Sequence, residues 1–101
     1  MYDKLDAIEA RYDELNDLMA SARPDQLAVY GREIASLEDV VRLSREYKSV
    51  GAELRETETL LRAEQDDDMR ELVKDEVESL KGRIELLEDQ LKAALIPRDP
   101  N

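Results

Sequence analysis

The chain has 101 residues, carries a formal net charge of −11 and contains neither cysteine nor histidine. This length allows one domain at most. The missing residue types exclude disulfides, thiolate metal sites and nucleophilic triads of the Ser-His or Cys-His kind. The negative charge disfavours direct wrapping of nucleic acid, because contacts with phosphate need clustered lysine and arginine.

Charged residues make up 41% of the chain and apolar residues 42%, without any Phe or Trp. This balance is typical of amphipathic helices that meet along a thin seam of leucine, valine and isoleucine. No apolar run reaches the roughly 18 residues that a membrane span needs. The first residues lack the pattern of a signal peptide, so we expect a cytoplasmic protein.

The first predicted helix covers about residues 2–20. Steps of three and four separate its apolar residues, which places them on one stripe of an α-helix: Leu5, Ile8, Tyr12, Leu15 and Met19. The segment from Ser21 to Pro24 ends this helix. Proline does not continue a helix interior but starts a helix well, so the next helix is expected to begin there.

The second predicted helix is long, at about residues 25–63. Its stripe starts as Leu27, Tyr30, Ile34, Leu37 and Val41. It then changes phase to the set Val40, Leu43, Tyr47, Val50, Leu54, Thr57 and Leu61. Two successive steps of three at this change would overwind a coiled coil locally.

The third predicted helix covers about residues 68–95 and ends before Pro97. Its stripe is Val73, Val77, Leu80, Ile84, Leu87, Leu91 and Ala94. The aspartates at 66–68 are typical of a helix N-cap with charge that matches the helix dipole. A calcium site is the alternative, but it needs a loop of about twelve residues with a central glycine. Carboxylates off the stripe, Glu88 among them, are expected to form a solvated face.

The predicted fold is therefore all-α, an antiparallel three-helix, coiled-coil-like bundle with a long central helix. The helical domain covers residues 1–96, and residues 97–101 are interpreted as the start of a linker to further domains. The first helix is too short to cover the whole second helix, so we also expect partial self-association. No catalytic, cofactor-binding or metal-binding residue is predicted, and an enzyme is not expected.

Both ends of the third helix resemble a known family. The segment Asp67-Asp68-Met69-Arg70-Glu71-Leu72 resembles the D-P-E-M-R-E-L/M segment of bacterial class I peptide chain release factors. The segment at 95–101, Leu-Ile-Pro-Arg-Asp-Pro-Asn, resembles the exit from their first domain, and specifically the release factor one branch. Asp67 departs from the family by replacing its usual proline, and the loop before Pro24 is shorter than usual.

The resemblance implies an N-terminal domain of a factor that recognises UAA and UAG in translation termination. It also implies partners: the stalk-base protein and ribosomal RNA of the large subunit, and the class II release-factor GTPase. The Gly-Gly-Gln loop and the codon-reading tripeptide of the family have no counterpart in these 101 residues, so the chain alone is expected to be inert in peptide release. The alternative hypothesis is a stand-alone coiled-coil adaptor or oligomerisation module.

Overall fold

The computed structural model describes residues 2–97 and consists, over that range, of three α-helices. These are α1 (Tyr2–Met19), α2 (Pro24–Ala63) and α3 (Asp67–Ala94). The predicted all-α class with a long central helix is confirmed. The linker predicted at 97–101 lies, apart from its first residue, outside the described residues.

The chain divides into two compact units, the first ending at Ser44 and the second beginning at Arg45. Each unit is a helical hairpin, since a short connection makes neighbouring helices antiparallel. The first unit joins α1 to the start of α2 through residues 20–23, and the second joins the end of α2 to α3 through residues 64–66.

In the first unit, two leucines of α1, Leu5 and Leu15, are fully buried. On the α2 side, every residue from 24 to 39 is at least partly exposed, and burial begins at Val40. Leu27, predicted for the apolar stripe, is 40% exposed. It lies in the first turn of α2, where the neighbouring segment is a loop and offers little surface to cover it.

Polar contacts supplement this thin apolar seam. The Arg11 guanidinium donates to both carboxylate oxygens of Glu33, from Nε at 2.7 Å and from Nη2 at 3.0 Å. At the end of the unit, Ser44 is fully buried, and its hydroxyl donates to Glu9 Oε2 at 2.8 Å. The hydrogen bond removes the penalty that a buried, unpaired hydroxyl would incur.

In the second unit, the stripe of α3 is buried as its spacing predicts. Its buried members are Val73, Val77, Leu80, Leu87 and Leu91. Ile84 is half-buried, whereas the predicted stripe member Ala94 is exposed. Ala94 is the last residue of α3, so the chain turns away there and the stripe ends one turn earlier.

The predicted change of phase in α2 is visible in the burial pattern. Val40 and Val41 are both buried, although they belong to the two different phases and point about 100° apart. Leu43 and Val50 continue the second phase as buried residues. The buried arc of α2 is therefore wide near Val40, and from residue 52 to the end of α2 every residue is at least partly exposed.

Candidate interaction surface

The turn between α2 and α3 is fixed by side chains of its own. Asp66 is the N-cap of α3, with an extended backbone (φ −75°, ψ 126°), and its carboxylate accepts from the Met69 amide at 2.9 Å. The Glu64 carboxylate accepts from the Asp66 amide at 3.0 Å. The N-cap predicted from the sequence is confirmed, and the Asp66 carboxylate is used for capping.

Arg70 closes the other side of the same turn. Its Nη1 donates to the Leu61 carbonyl at 2.7 Å and to the Glu64 carbonyl at 2.9 Å. The last carbonyls of a helix lack partners within the helix, and positive charge is favourable at that end. Sequence reasoning missed this role. The available signal was an arginine in the first turn of a helix, where acidic residues are usual.

Two flanks of the second unit can be told apart from its cross-helix contacts. Arg83 of α3 forms a salt bridge with Glu46 of α2. Leu72 lies eleven residues before Arg83, close to three full turns, so both lie on one face of α3. Leu60 lies fourteen residues after Glu46, close to four turns, so both lie on one face of α2. Leu60 and Leu72 therefore lie on the same flank, at the end near the turn.

We call Leu60, Met69 and Leu72 the apolar flank. Their exposed fractions are 50%, 47% and 65%. Met69 belongs with Leu72 because residues three apart are neighbours on a helix. The sequence contains the signal for the two leucines in the doublets Leu60-Leu61 and Leu72-Val73, since only one of two adjacent residues can lie on a stripe.

The opposite flank has different chemistry. There the Tyr47 hydroxyl donates to Glu88 Oε1 at 3.3 Å, so Glu88 is half-buried and not part of the solvated face predicted for it. Arg70 lies eighteen residues before Glu88, five full turns, and so shares its face of α3. This flank contains a groove of about 380 Å³ lined by Glu58, Leu61, Arg62, Arg70, Glu71, Lys74, Val77, Glu78 and Lys81.

The clearest electrostatic perturbation lies in the first unit. The hydrogen bonds from Arg11 hold the pKa of the Glu33 carboxyl below its usual value, and the same bonds raise the pKa of Arg11. Arginine is charged at any ordinary pH, so only the Glu33 shift has a measurable consequence. The pair joins α1 to α2 and has a structural role.

Among residues 2–97, no group of three or more acidic side chains is placed to hold a metal ion. Within the same range, none of the helices combines the length and the apolar character needed to cross a membrane. That the chain has no catalytic or cofactor-binding residue stays a prediction from its sequence.

Comparisons with known proteins place these features in a family. Residues 8–101 match the model of the PCRF domain. Over its full length the chain is 41% identical to peptide chain release factor 1 of Bacillus licheniformis and of Geobacillus kaustophilus, covering 30% and 29% of those proteins. The corresponding protein of Staphylococcus saprophyticus is 38% identical, with 29% covered. No solved structure matches.

Because this match covers residues 8–101, the chain belongs to the PCRF domain family. Within that family the chain is similar to bacterial peptide chain release factor 1, of which it corresponds to the N-terminal part. The chain spans about 30% of the length of these relatives. The resemblance drawn from the two ends of α3 is confirmed.

Proposed function

We propose that this chain is the N-terminal helical domain of a translation termination factor that acts at UAA and UAG codons. The observation that carries the proposal is the 41% identity to release factor 1 along the entire chain. The turn at 66–70 supports it, because the segment that resembles the family directly follows the N-cap of α3, Asp66, and contains the Arg70 that closes α2.

In this role the domain attaches the factor to the ribosome and takes no part in hydrolysis. Its partners are the stalk-base protein and ribosomal RNA of the large subunit, together with the class II release-factor GTPase. A net charge of −11 favours docking on basic ribosomal protein over direct contact with RNA phosphates. The peptidyl-tRNA hydrolysis belongs to other parts of such a factor, which works in the cytoplasm.

Domain replacement tests this proposal. In release factor 1 of Bacillus licheniformis, this chain replaces the segment that it matches, and peptide release is measured on ribosomes programmed with UAA, UAG or UGA. Release at UAA and UAG is expected to match that of the intact factor, and the choice of codon comes from the recipient's own codon-reading part. The isolated chain should release no peptide, and a chimaera as inactive as the factor without its first domain would refute the proposal.

The size of the native protein and its self-association distinguish the proposed function from the alternative, a stand-alone adaptor. An antibody raised against the chain should detect a protein several times heavier than 11.6 kDa in extracts of the source cells. A band at that mass would favour the adaptor. Partial self-association of the isolated chain stays a prediction, and light scattering over a concentration series decides it.

A further inference from the structure

Three exposed apolar side chains lie together at the end of the second unit, on a turn that is fixed at both sides. Leu72 and Leu60 are at least half exposed, and Met69 nearly so. The N-cap at Asp66 and the two carbonyl contacts of Arg70 hold the helices that present them. The apolar flank is therefore a preorganised surface, and docking on it requires little ordering of the backbone.

The charges around the apolar flank have one sign. On a helix, the neighbours of a residue lie three and four positions away. Every charged residue at those distances from Leu60, Met69 or Leu72 is acidic: Glu56, Glu64, Asp66, Asp68, Asp75 and Glu76. The groove on the opposite flank differs, since it mixes four basic with three acidic side chains.

From this arrangement we propose that the apolar flank is the docking site for a basic protein partner, which contributes an apolar pocket surrounded by lysine or arginine. A nucleic acid is disfavoured because its phosphates would face the acidic rim. A second copy of this chain is disfavoured because two acidic rims would be brought together. The inference rests on the proposed function and assigns the contact with ribosomal protein to three residues.

The test uses the double variant Leu60→Gln/Leu72→Gln, which removes apolar area from exposed positions and keeps good helix formers. Leu86→Gln is the matched control, because Leu86 is 57% exposed and lies fourteen residues, about 21 Å, from Leu72. Lys74→Gln/Lys81→Gln tests the groove. Circular dichroism and thermal unfolding first establish that each variant keeps its helices.

Two probes are titrated with each protein: purified large ribosomal subunits, and a synthetic amphipathic helix with leucine on one face and lysine on the other. Protein-free ribosomal RNA is titrated for comparison, and light scattering measures self-association. The flank double variant is expected to bind both probes at least tenfold more weakly than the unaltered chain. Leu86→Gln and the groove variant should stay within twofold. Glu76→Lys should weaken binding to the peptide, and added salt should do the same to the unaltered chain.

The outcomes separate the two proposals. If the flank variant binds the subunits as tightly as the unaltered chain does, the proposed docking site is wrong and the proposed function still stands. Binding of the peptide through the flank, without any binding of subunits, would support the surface and count against the ribosomal role. Three results would overturn the inference. The first is that neither probe binds. The second is that protein-free ribosomal RNA binds through the flank as strongly as the subunits do, and the third is that the chain self-associates and the flank variant does not.

Discussion

The two units are both helical hairpins, yet their buried residues are distributed differently. In the first, the residues of α2 from 24 to 39 are at least partly exposed, and a double hydrogen bond from Arg11 to Glu33 links the helices. In the second, α3 buries five residues of one regular stripe. Apolar burial stabilises in proportion to area, whereas an exposed ion pair contributes little. The first unit also buries apolar residues, Leu5 and Leu15 of α1 and Val40, Val41 and Leu43 of α2. The units therefore differ in where burial lies: the second has one regular seam along α3, whereas the burial of the first on α2 is concentrated at the end of its segment.

The two turns differ in a related way. Each contains one half of the reciprocal N-terminal motif known as the capping box. Before α2, the Gln26 side chain accepts from the Arg23 amide at 3.0 Å. Before α3, the Asp66 side chain accepts from the Met69 amide at 2.9 Å. The second turn also has Arg70 on the preceding carbonyls, so side chains satisfy more of its backbone groups.

The largest expected effect on stability comes from truncating one buried leucine in each unit. Leu15→Ala and Leu87→Ala should each lower the free energy of unfolding by about 2–5 kcal/mol, because each leaves a cavity in a closely packed seam. Urea denaturation followed by circular dichroism measures the loss.

The controls are exposed leucines on the same helices. Leu18→Ala and Leu86→Ala remove the same atoms from positions that are 36% and 57% exposed, and should cost about 0.5 kcal/mol or less. If Leu86→Ala cost as much as Leu87→Ala, the stripe would not be the source of stability in α3.

The next largest effect tests the better-capped turn. Asp66→Ala should cost about 1 kcal/mol, because the Met69 amide loses its acceptor. Asp66→Asn keeps an acceptor oxygen and should stay close to the unaltered chain. Gln26→Ala is expected to cost less, since Gln26 lies inside α2, where the higher helix propensity of alanine offsets part of the lost contact. Thermal unfolding of the three variants ranks them, and an equal cost for Gln26→Ala and Asp66→Ala would break the comparison between the turns.

Much of this architecture can be predicted from the sequence. The features that cannot be predicted have one physical cause in common. Three- and four-residue steps specify which face of a helix is apolar, so Val73 to Leu91 are placed correctly. The same steps contain no information on how far a neighbouring helix extends, so the exposure of Leu27 and Ala94 is not predicted. Contacts between distant residues are hidden in the same way. Tyr47 with Glu88 and Arg70 with the Leu61 carbonyl depend on which helix faces meet.

Two glycines inside helices provide a smaller, matched change, one in each unit. Apart from the adjacent residues and the backbone of its own helix, a methyl group added at Gly31 or at Gly82 would meet no atom within 4 Å. Gly31→Ala and Gly82→Ala should therefore each raise the free energy of unfolding by about 0.5–1 kcal/mol, through better helix propensity and a less flexible unfolded chain. Destabilisation by Gly31→Ala would show that the first unit packs more tightly than its exposed residues indicate.

The smallest expected effect concerns the pH dependence of the first unit. Hydrogen bonds from Arg11 lower the pKa of Glu33 in the folded chain. A depressed pKa means that the folded state favours the charged carboxylate, so the contribution to stability is present above the unfolded pKa. It is lost as the pH falls through the lowered folded value. Denaturation curves from neutral to acidic pH, with Glu33→Gln as the control, isolate the contribution of the Glu33 charge to the free energy of unfolding. The difference between the two proteins should shrink as the medium becomes acidic and should weaken in high salt, because the pair is partly exposed to solvent. A difference that persists unchanged at low pH would assign the effect of Glu33 to packing and not to its charge.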